Sequence, residues 1–256
     1  MTLSARSAIM GVLWLQVAIG VLLFTGNVWQ RLPTLFTGTP DAPPLTQPTS
    51  PGDQTRRYSP AGWPDRPAPP NRPYQAPANM PSRLAFDVIP AEGGQALTIT
   101  GQIESGDAAR FEDWRAERDL PNRVFLNSPG GSVSDALAIG RILRDASVQT
   151  EVTAGDICLS ACPYMFAAGT VRRAHRDGAI GVHQHFYGEN TLLPAFVAVE
   201  DIQRGQGRVL DFLDDMGIDL RLMSHSLATP PDEIYILTAA ELTEYALATE
   251  ILPGGS

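Results

Sequence analysis

Apolar and polar positions follow two different periods from residue 83 onward. Alternation of apolar or β-branched residues with small or polar ones predicts strands at residues 96–103, 123–126, 149–153, 171–174 and 179–183. Near-helical apolar spacing, or a run of small and aromatic residues, predicts helices at residues 110–118, 132–145, 160–168, 196–215, 219–227 and 239–248. Because strands alternate with helices, the predicted fold class is α/β.

The N-terminal segment has a third pattern, a continuous apolar run. Residues 8–25 are apolar except for Gln16, and Arg6 precedes them. At 1.5 Å per residue they would span roughly 27 Å, close to the ~30 Å hydrocarbon core, so a single transmembrane anchor is predicted within residues 1–30. A cleaved signal peptide is the alternative, although its apolar region is usually shorter and no small-x-small site follows Phe24. Charge bias favours a cytoplasmic N-terminus, with the C-terminal domain in the periplasm or outside the cell.

Composition separates a linker from a domain. Of the 22 prolines, 13 lie between Pro40 and Pro81, so residues 31–82 are predicted to be a disordered spacer without a binding role, and residues 83–256 the folded domain. Up to residue 82 there are six arginines and three acidic residues, whereas the domain has 13 arginines and 25 acidic residues. Such an acidic domain is a poor nucleic-acid binder. The chain contains no lysine, which excludes a catalytic lysine supplied by this chain.

Three short motifs contain residue types that can carry chemistry. Ser128-Pro129-Gly130-Gly131 lies between a predicted strand and a predicted helix, where glycine N–H groups can act as hydrogen-bond donors. Cys158-Leu159-Ser160-Ala161-Cys162 begins the small-residue helix, and Gly181-Val182-His183-Gln184-His185 ends a strand. Taken singly, these motifs are typical of a turn, a helix N-cap and a structural histidine.

The order and spacing of the three motifs resemble the Clp protease proteolytic subunit and its ClpP/crotonase-like superfamily, whose fold repeats ββα units. The resemblance covers approximately residues 97–251 and includes Ala167-Ala168-Gly169 and residues 236–241. It implies a serine hydrolase, most directly a peptidase, that acts on a peptide or protein substrate and self-assembles into a homo-oligomer. No metal or other cofactor is expected.

Site roles follow from the same resemblance. Ser160 would be the nucleophile, His183 its general base, and the backbone N–H groups of Gly131 and Ala161 the oxyanion hole. His185 would point to the opposite face if the strand continues past His183, which makes it the weaker base candidate.

The third catalytic residue departs from the family pattern. The family places an aspartate just before its final strand, but the position that aligns best here is Ile234, preceded by Asp232 and Glu233. One of these two carboxylates would orient the imidazole, the site would be a Ser-His dyad, or the protein would be a catalytically inactive partner-binding module. Without lysine, the Ser-Lys mechanism of the related signal peptide peptidase A is not open to this chain. Crotonase-type acyl-CoA chemistry fits less well, because those relatives lack the nucleophilic serine in this context.

Cys158 and Cys162 are the only two cysteines. An even number outside the cytoplasm favours a disulfide, whereas their i, i+4 spacing is awkward for one within a regular helix. The alternative is a pair of buried small apolar side chains. A disulfide between them would span Ser160.

Overall fold

The computed structural model describes residues 10–21, 54–59, 72–74, 79–185 and 195–254, the side chains of residues 195–199 excepted. The chain divides into two units, Met1–Ala42 and Pro43–Ser256, and residues 10–21 of the first form helix α1. The predicted anchor at residues 8–25 falls partly outside the described residues. Within the described ranges, no helix combines the length and the apolar character that a membrane crossing requires.

The second unit is a mixed α/β fold, as the sequence pattern predicted. Its elements in chain order are β1 (Thr55–Arg57), β2 (Ala85–Ala91), β3 (Gly94–Thr100), α2 (Asp107–Arg115), β4 (Arg123–Asn127), α3 (Val133–Asp145), β5 (Gln149–Val152), β6 (Ile157–Leu159), α4 (Cys162–Ala167), β7 (Arg172–His175), β8 (Ala179–Val182), α5 (Ala195–Asp215), α6 (Leu222–Ala228), β9 (Glu233–Ile236), α7 (Ala239–Glu244) and β10 (Glu250–Leu252).

Two sheets organise this unit. The six-stranded sheet has the order β10-β7-β5-β4-β3-β2, and all its pairs are parallel except the β2–β3 hairpin. The four-stranded sheet has the order β1-β9-β8-β6, with β6 and β8 parallel and the other pairs antiparallel. An isolated bridge between Ser128 and Cys158 connects the end of β4 to β6. The SPGG motif and the serine turn are thereby brought side by side.

Helix α3 begins directly after the SPGG motif and buries one of its faces. Its buried residues include Leu137, Ile139 and Leu143, and its first turn is capped by Ser132, whose side chain accepts a hydrogen bond from the Asp135 N–H. Gly140 lets neighbouring groups approach closely, since a Cβ there would meet the Phe212 ring at 2.8 Å and the Tyr164 carbonyl oxygen at 3.2 Å. The start of α3, directly after the SPGG motif, is therefore fixed by capping and by packing.

Part of the predicted spacer contacts the domain. Strand β1 pairs antiparallel with β9, and Arg56 is only 3% exposed. Tyr74 donates a hydrogen bond to Asp156 at 2.7 Å and stacks on Phe125 at 5.4 Å between ring centroids. The structure therefore differs from the predicted spacer. The prediction rested on proline content, which does not reveal a short strand that pairs with the edge of a sheet.

Candidate active site

Ser160 lies in the tight turn between β6 and α4. Its φ of +61° is in the left-handed region, which is costly for a residue other than glycine and is found at constrained functional turns. The turn is held because the Ser160 N–H donates to the Gly181 carbonyl oxygen at 2.9 Å. The predicted helix at residues 160–168 thus begins later, at Cys162, and Ser160 precedes it. The side chain is half-buried and faces a cleft.

A disulfide between Cys158 and Cys162 encloses this turn, with 5.0 Å between the two Cα atoms. The expected geometric difficulty does not arise, because Cys158 belongs to β6 and Cys162 is the first residue of α4, so one regular helix does not contain both. The bond links the strand and the helix on the two sides of Ser160. It restricts their separation and therefore the conformation of the serine turn.

His183 follows β8 and is 5% exposed. Its Nε2 lies 2.7 Å from Ser160 Oγ, and its Nδ1 lies 3.0 Å from the carbonyl oxygen of Pro231. A carbonyl oxygen only accepts, so we assign the imidazole proton to Nδ1, which leaves Nε2 to accept the Ser160 hydroxyl hydrogen. Burial lowers the pKa of His183 below 6.5, while the nearby backbone carbonyls act in the opposite direction. The imidazole is neutral at pH 7 and is able to act as a base.

The sequence left open whether Asp232 or Glu233 orients the imidazole, whether the site is a Ser-His dyad, or whether it is inactive. Asp232 lines the cleft and Glu233 begins β9, yet neither carboxylate of these two described residues contacts His183. Ile234 is fully buried in a small apolar cluster with Ile157 and other side chains of the four-stranded sheet. The main chain before β9 presents the Pro231 carbonyl to Nδ1 in place of an acidic side chain.

Two backbone N–H groups beside Ser160 are available to bind an anion. The SPGG loop is fixed to Ile103, whose N–H donates to the Gly130 oxygen and whose oxygen accepts from the Ser132 N–H, both at 2.8 Å. Within the described part of the chain, the N–H groups of Gly131 and Ala161 have no acceptor. Gly131 lines the cleft with a φ of +136°, and Ala161 directly follows Ser160. Such paired donors can stabilise an oxyanion.

Comparison with known proteins agrees with the motif order. No family model matches the chain. It is 25% identical over 193 residues to ATP-dependent Clp protease proteolytic subunit 2 of Prochlorococcus marinus (strain MIT 9313), a match that covers 72% of this chain and 94% of the relative. The chain is thus similar to a Clp protease proteolytic subunit. Among solved structures, a ClpP1 mutant from Listeria monocytogenes matches with a TM-score of 0.48 and 19% identity over 62% of this chain and 91% of that one.

Tyr58 is a site residue that the sequence analysis did not identify. Tyr58 follows β1, and its ring meets the His183 ring edge-on with 4.6 Å between centroids. Its hydroxyl donates to the Pro129 carbonyl oxygen at 2.5 Å. Burial raises the pKa of Tyr58 to about 12, and a hydrogen bond with Ser160 acts in the opposite direction. Tyr58 therefore contacts both the base and the SPGG loop, from a region whose composition predicted a spacer.

Two buried aspartates, also missed, hold the loop opposite Ser160. Asp107 accepts hydrogen bonds from Arg83 Nε and Arg110 Nη1, both at 2.6 Å, and from the Glu104 N–H at 2.8 Å. Asp135 Oδ1 accepts from two backbone N–H groups of the loop and the following helix, both at 3.0 Å. These contacts fix the chain around Ile103, which in turn positions Gly131. The sequence indicates such residues only weakly, because it does not show which aspartates are buried or which arginines lie beside them.

His185 has a partner other than Ser160. Its Nε2 lies 2.7 Å from the Tyr164 hydroxyl, and the two rings meet edge-on. Burial lowers the pKa of His185 to about 4, and the nearby His183 adds to this effect. His185 is neutral at pH 7, and the structure gives it no contact with the Ser160 hydroxyl among the contacts described for that serine.

The cleft in front of Ser160 has a volume of about 720 Å³. Its walls come from β1, the loop after β3, the SPGG loop and the chain before β9, namely Tyr58, Gln102, Ile103, Glu104, Ser105, Gly131, Ser132, Val133, Ser160, His183, His185, Pro231 and Asp232. Within the described ranges, no cluster of three or more histidine, cysteine or acidic side chains is arranged to hold a metal ion. The geometry is suited to nucleophilic attack by Ser160 on a bound carbonyl.

Proposed function

We propose that this protein is a serine hydrolase, most directly a peptidase, with Ser160 as nucleophile and His183 as general base. The observation that carries the proposal is the 2.7 Å contact between Ser160 Oγ and a His183 Nε2 whose partner nitrogen is hydrogen-bonded to a carbonyl. The similarity to a Clp protease proteolytic subunit supports the same activity. Asp232 and Glu233 have no part in this mechanism.

The proposed reaction begins when Ser160 Oγ attacks the substrate carbonyl carbon and its proton passes to His183 Nε2. The N–H groups of Gly131 and Ala161 stabilise the oxyanion. Collapse of the tetrahedral intermediate breaks the bond to the leaving group, which takes the proton from Nε2. Water then attacks the acyl-enzyme and gives a proton to Nε2, the bond between the acyl carbon and Ser160 Oγ breaks, and Oγ takes the proton back from Nε2 as the acid leaves. The Pro231 carbonyl maintains the tautomer but supplies no full negative charge to the imidazolium.

The experiment is labelling of the full-length protein with a fluorophosphonate probe, which reacts with activated serines. We expect labelling of the wild type and its loss in Ser160→Ala. Ser224→Ala is the matched control, because Ser224 is exposed on α6 and its hydroxyl donates only to a local carbonyl. Folding is checked by circular dichroism. Absence of labelling in folded wild-type protein, or equal labelling of the Ser160→Ala variant, would refute the hydrolase proposal.

The second candidate function is a catalytically inactive ClpP-like protein that acts in oligomerisation or partner binding. The observation that favours it is the absence of a contact between His183 and the described carboxylates. It predicts that folded wild-type protein is not labelled, and that Ser160→Ala leaves the cellular phenotype unchanged. The hydrolase proposal predicts the reverse in both assays.

Location and assembly are part of the proposal. The apolar run at residues 8–25 supports a single-pass anchor in the cytoplasmic membrane, with the domain in the periplasm or outside the cell. The similarity to a Clp protease subunit supports a homo-oligomer that acts on peptide or protein substrates. Two assays test the location. An anchored protein should resist alkaline extraction from membranes, and a domain outside the cytoplasm should be cleaved by protease added on that side. Light scattering of the detergent-purified full chain tests the assembly.

A further inference from the structure

A second cavity adjoins the cleft that contains Ser160. It has a volume of about 340 Å³ and shares Gly131, Ser132, Val133 and His185 with that cleft. Its remaining wall comes from α3 and α5, with Ser134, Leu137, Arg141, Gly205 and Arg208. Gly131 belongs to both cavities and is the proposed oxyanion donor. A substrate carbonyl at Ser160 would therefore lie at the boundary, with this cavity open to a neighbouring part of the substrate.

The charge of this cavity differs from that of the domain. The domain has 25 acidic residues against 13 arginines, yet the described residues that line the cavity include two arginines and no carboxylate. Six other arginines of residues 83–256 have carboxylate partners within 4 Å, namely Arg83, Arg110, Arg123, Arg173, Arg204 and Arg221. Among the described residues, neither Arg141 nor Arg208 has an acidic partner. The cavity is thus locally cationic within an acidic protein.

Neighbouring groups do not neutralise these two guanidinium groups. Arg141 lies over the Phe212 ring, 5.4 Å from its centroid, an arrangement that holds the guanidinium group without cancelling its charge. The nearest acidic residues along the two helices are Asp145, four residues after Arg141, and Asp211, three residues after Arg208; among the described residues neither forms an ion pair with these arginines, and neither lines the cavity. Asp135, at the start of α3, is buried and accepts hydrogen bonds from Ser132 Oγ and from two backbone N–H groups. His185 adds no charge at pH 7, because burial lowers its pKa to about 4. An anionic group would supply the missing partner.

We propose that this cavity is a specificity subsite that binds a carboxylate of the substrate beside the bond that Ser160 attacks, with Arg141 and Arg208 as the recognising residues. The inference rests on the proposed hydrolase function and narrows its substrates to peptides with an acidic group next to the cleaved bond. The carboxylate comes from an aspartate or glutamate side chain or from the end of a peptide chain, and both sources have the same chemistry.

The test measures peptide binding separately from catalysis. Calorimetry on full-length Ser160→Ala protein compares a Glu peptide with its Gln analogue, both with blocked ends, and a free C-terminus with its amide in a second pair. We expect the carboxylate member of at least one pair to bind about tenfold tighter, the scale of a hydrogen bond to a charged group. The first pair identifies a side-chain source and the second a chain-end source.

Variants assign the preference to the cavity. Arg208→Gln in the Ser160→Ala background should reduce the preference about tenfold, and Arg141→Gln should do the same unless loss of the Phe212 contact unfolds it. Arg204→Gln is the matched control, because Arg204 lies on the same helix, pairs with Glu200 and does not line the cavity. It should leave the preference unchanged.

Catalysis gives a second readout. In Ser160-containing protein, coumarin-releasing peptides with glutamate before the cleaved bond should have a higher kcat/KM than glutamine peptides. Arg208→Gln should reduce this ratio about tenfold, and the control Arg204→Gln should leave it unchanged. Labelling without any carboxylate preference would overturn the subsite and leave the hydrolase intact. Carboxylate-dependent binding without labelling would overturn the hydrolase and leave the subsite. Equal binding within both peptide pairs, or a preference that survives in Arg208→Gln, would also overturn the subsite.

Discussion

Replacing Gly130 with alanine tests how closely the SPGG loop is fitted to the serine turn. An ideal Cβ at Gly130 would lie 2.5 Å from the Leu159 carbonyl oxygen, 2.5 Å from Ser160 Cβ and 3.0 Å from the Ala161 nitrogen. All three atoms belong to the turn that holds the nucleophile. The φ of Gly130 is +102°, so an alanine would be strained even in open space.

A matched glycine separates the strain from the contact. Gly93 lies in the β2–β3 turn with a φ of +85°, and a Cβ there would meet nothing within 4 Å. Positive φ costs an L-residue about 1–2 kcal/mol, so Gly93→Ala should lower the free energy of unfolding by about that amount. Gly130→Ala carries the same strain and adds steric overlap of about 1–3 kcal/mol, which gives a loss of about 2–5 kcal/mol.

The assays are urea unfolding, for the free energy of unfolding, and the initial rate of fluorophosphonate labelling. We expect Gly93→Ala to label at the wild-type rate. The added methyl group should displace the serine turn and weaken transition-state stabilisation. A loss of about 1.4 kcal/mol in that stabilisation slows the reaction tenfold, so we expect folded Gly130→Ala to label at least about tenfold more slowly than the wild type. A folded Gly130→Ala protein that labels at the wild-type rate, or that is no less stable than Gly93→Ala, would refute the described contact between loop and turn.

Three further predictions follow from the same site. The Cys158–Cys162 disulfide closes a loop of five residues, worth about 2 kcal/mol in the chain-entropy model, so the double alanine variant should lose about that much free energy of unfolding in urea and label more slowly; unchanged stability would contradict this. Because burial lowers the pKa of His183 and only the neutral imidazole is a base, labelling should decrease as the pH falls, with an inflection below 6.5; an inflection above 6.5 would contradict the described burial. Tyr58→Phe removes the hydrogen bonds of the hydroxyl, to the Pro129 carbonyl and with Ser160, but keeps the ring, and it should slow labelling about two- to tenfold. Tyr58→Ala also uncovers His183 and should move the inflection toward 6.5; a pH profile that is identical in all three proteins would refute the ring contact.

The parts of the fold that follow a regular period were predictable from the sequence. The alternation at residues 96–103 and the near-helical spacing at residues 132–145 correspond to β3 and α3, because burial of one face imposes the period. The class was therefore predicted correctly as α/β. The end of the predicted helix at residues 239–248 was too far along the chain, since α7 stops at Glu244 and Ala246 has a positive φ.

The catalytic roles of Ser160 and His183 stay predictions that their geometry supports. The partner of His183 Nδ1 was not predictable, because Pro231 contributes a backbone carbonyl, and every residue type has one. Tyr58 was not predictable either, since it lies 125 positions before His183 in a proline-rich segment and is held at the site by the three-residue strand that precedes it. Pattern-based reasoning finds residues whose side-chain type is distinctive, and both of these contributions depend on tertiary placement.

The pairing of β1 with β9 has a practical consequence for the study of assembly. A recombinant fragment cut at the compositional boundary, residue 83, would lack β1 and leave β9 as an open edge of the four-stranded sheet. Open edges recruit strands from other molecules, so such a fragment would self-associate through a surface that the full chain covers with its own residues. The oligomers of this fragment would result from the exposed β9 edge and would not represent the native mode of assembly.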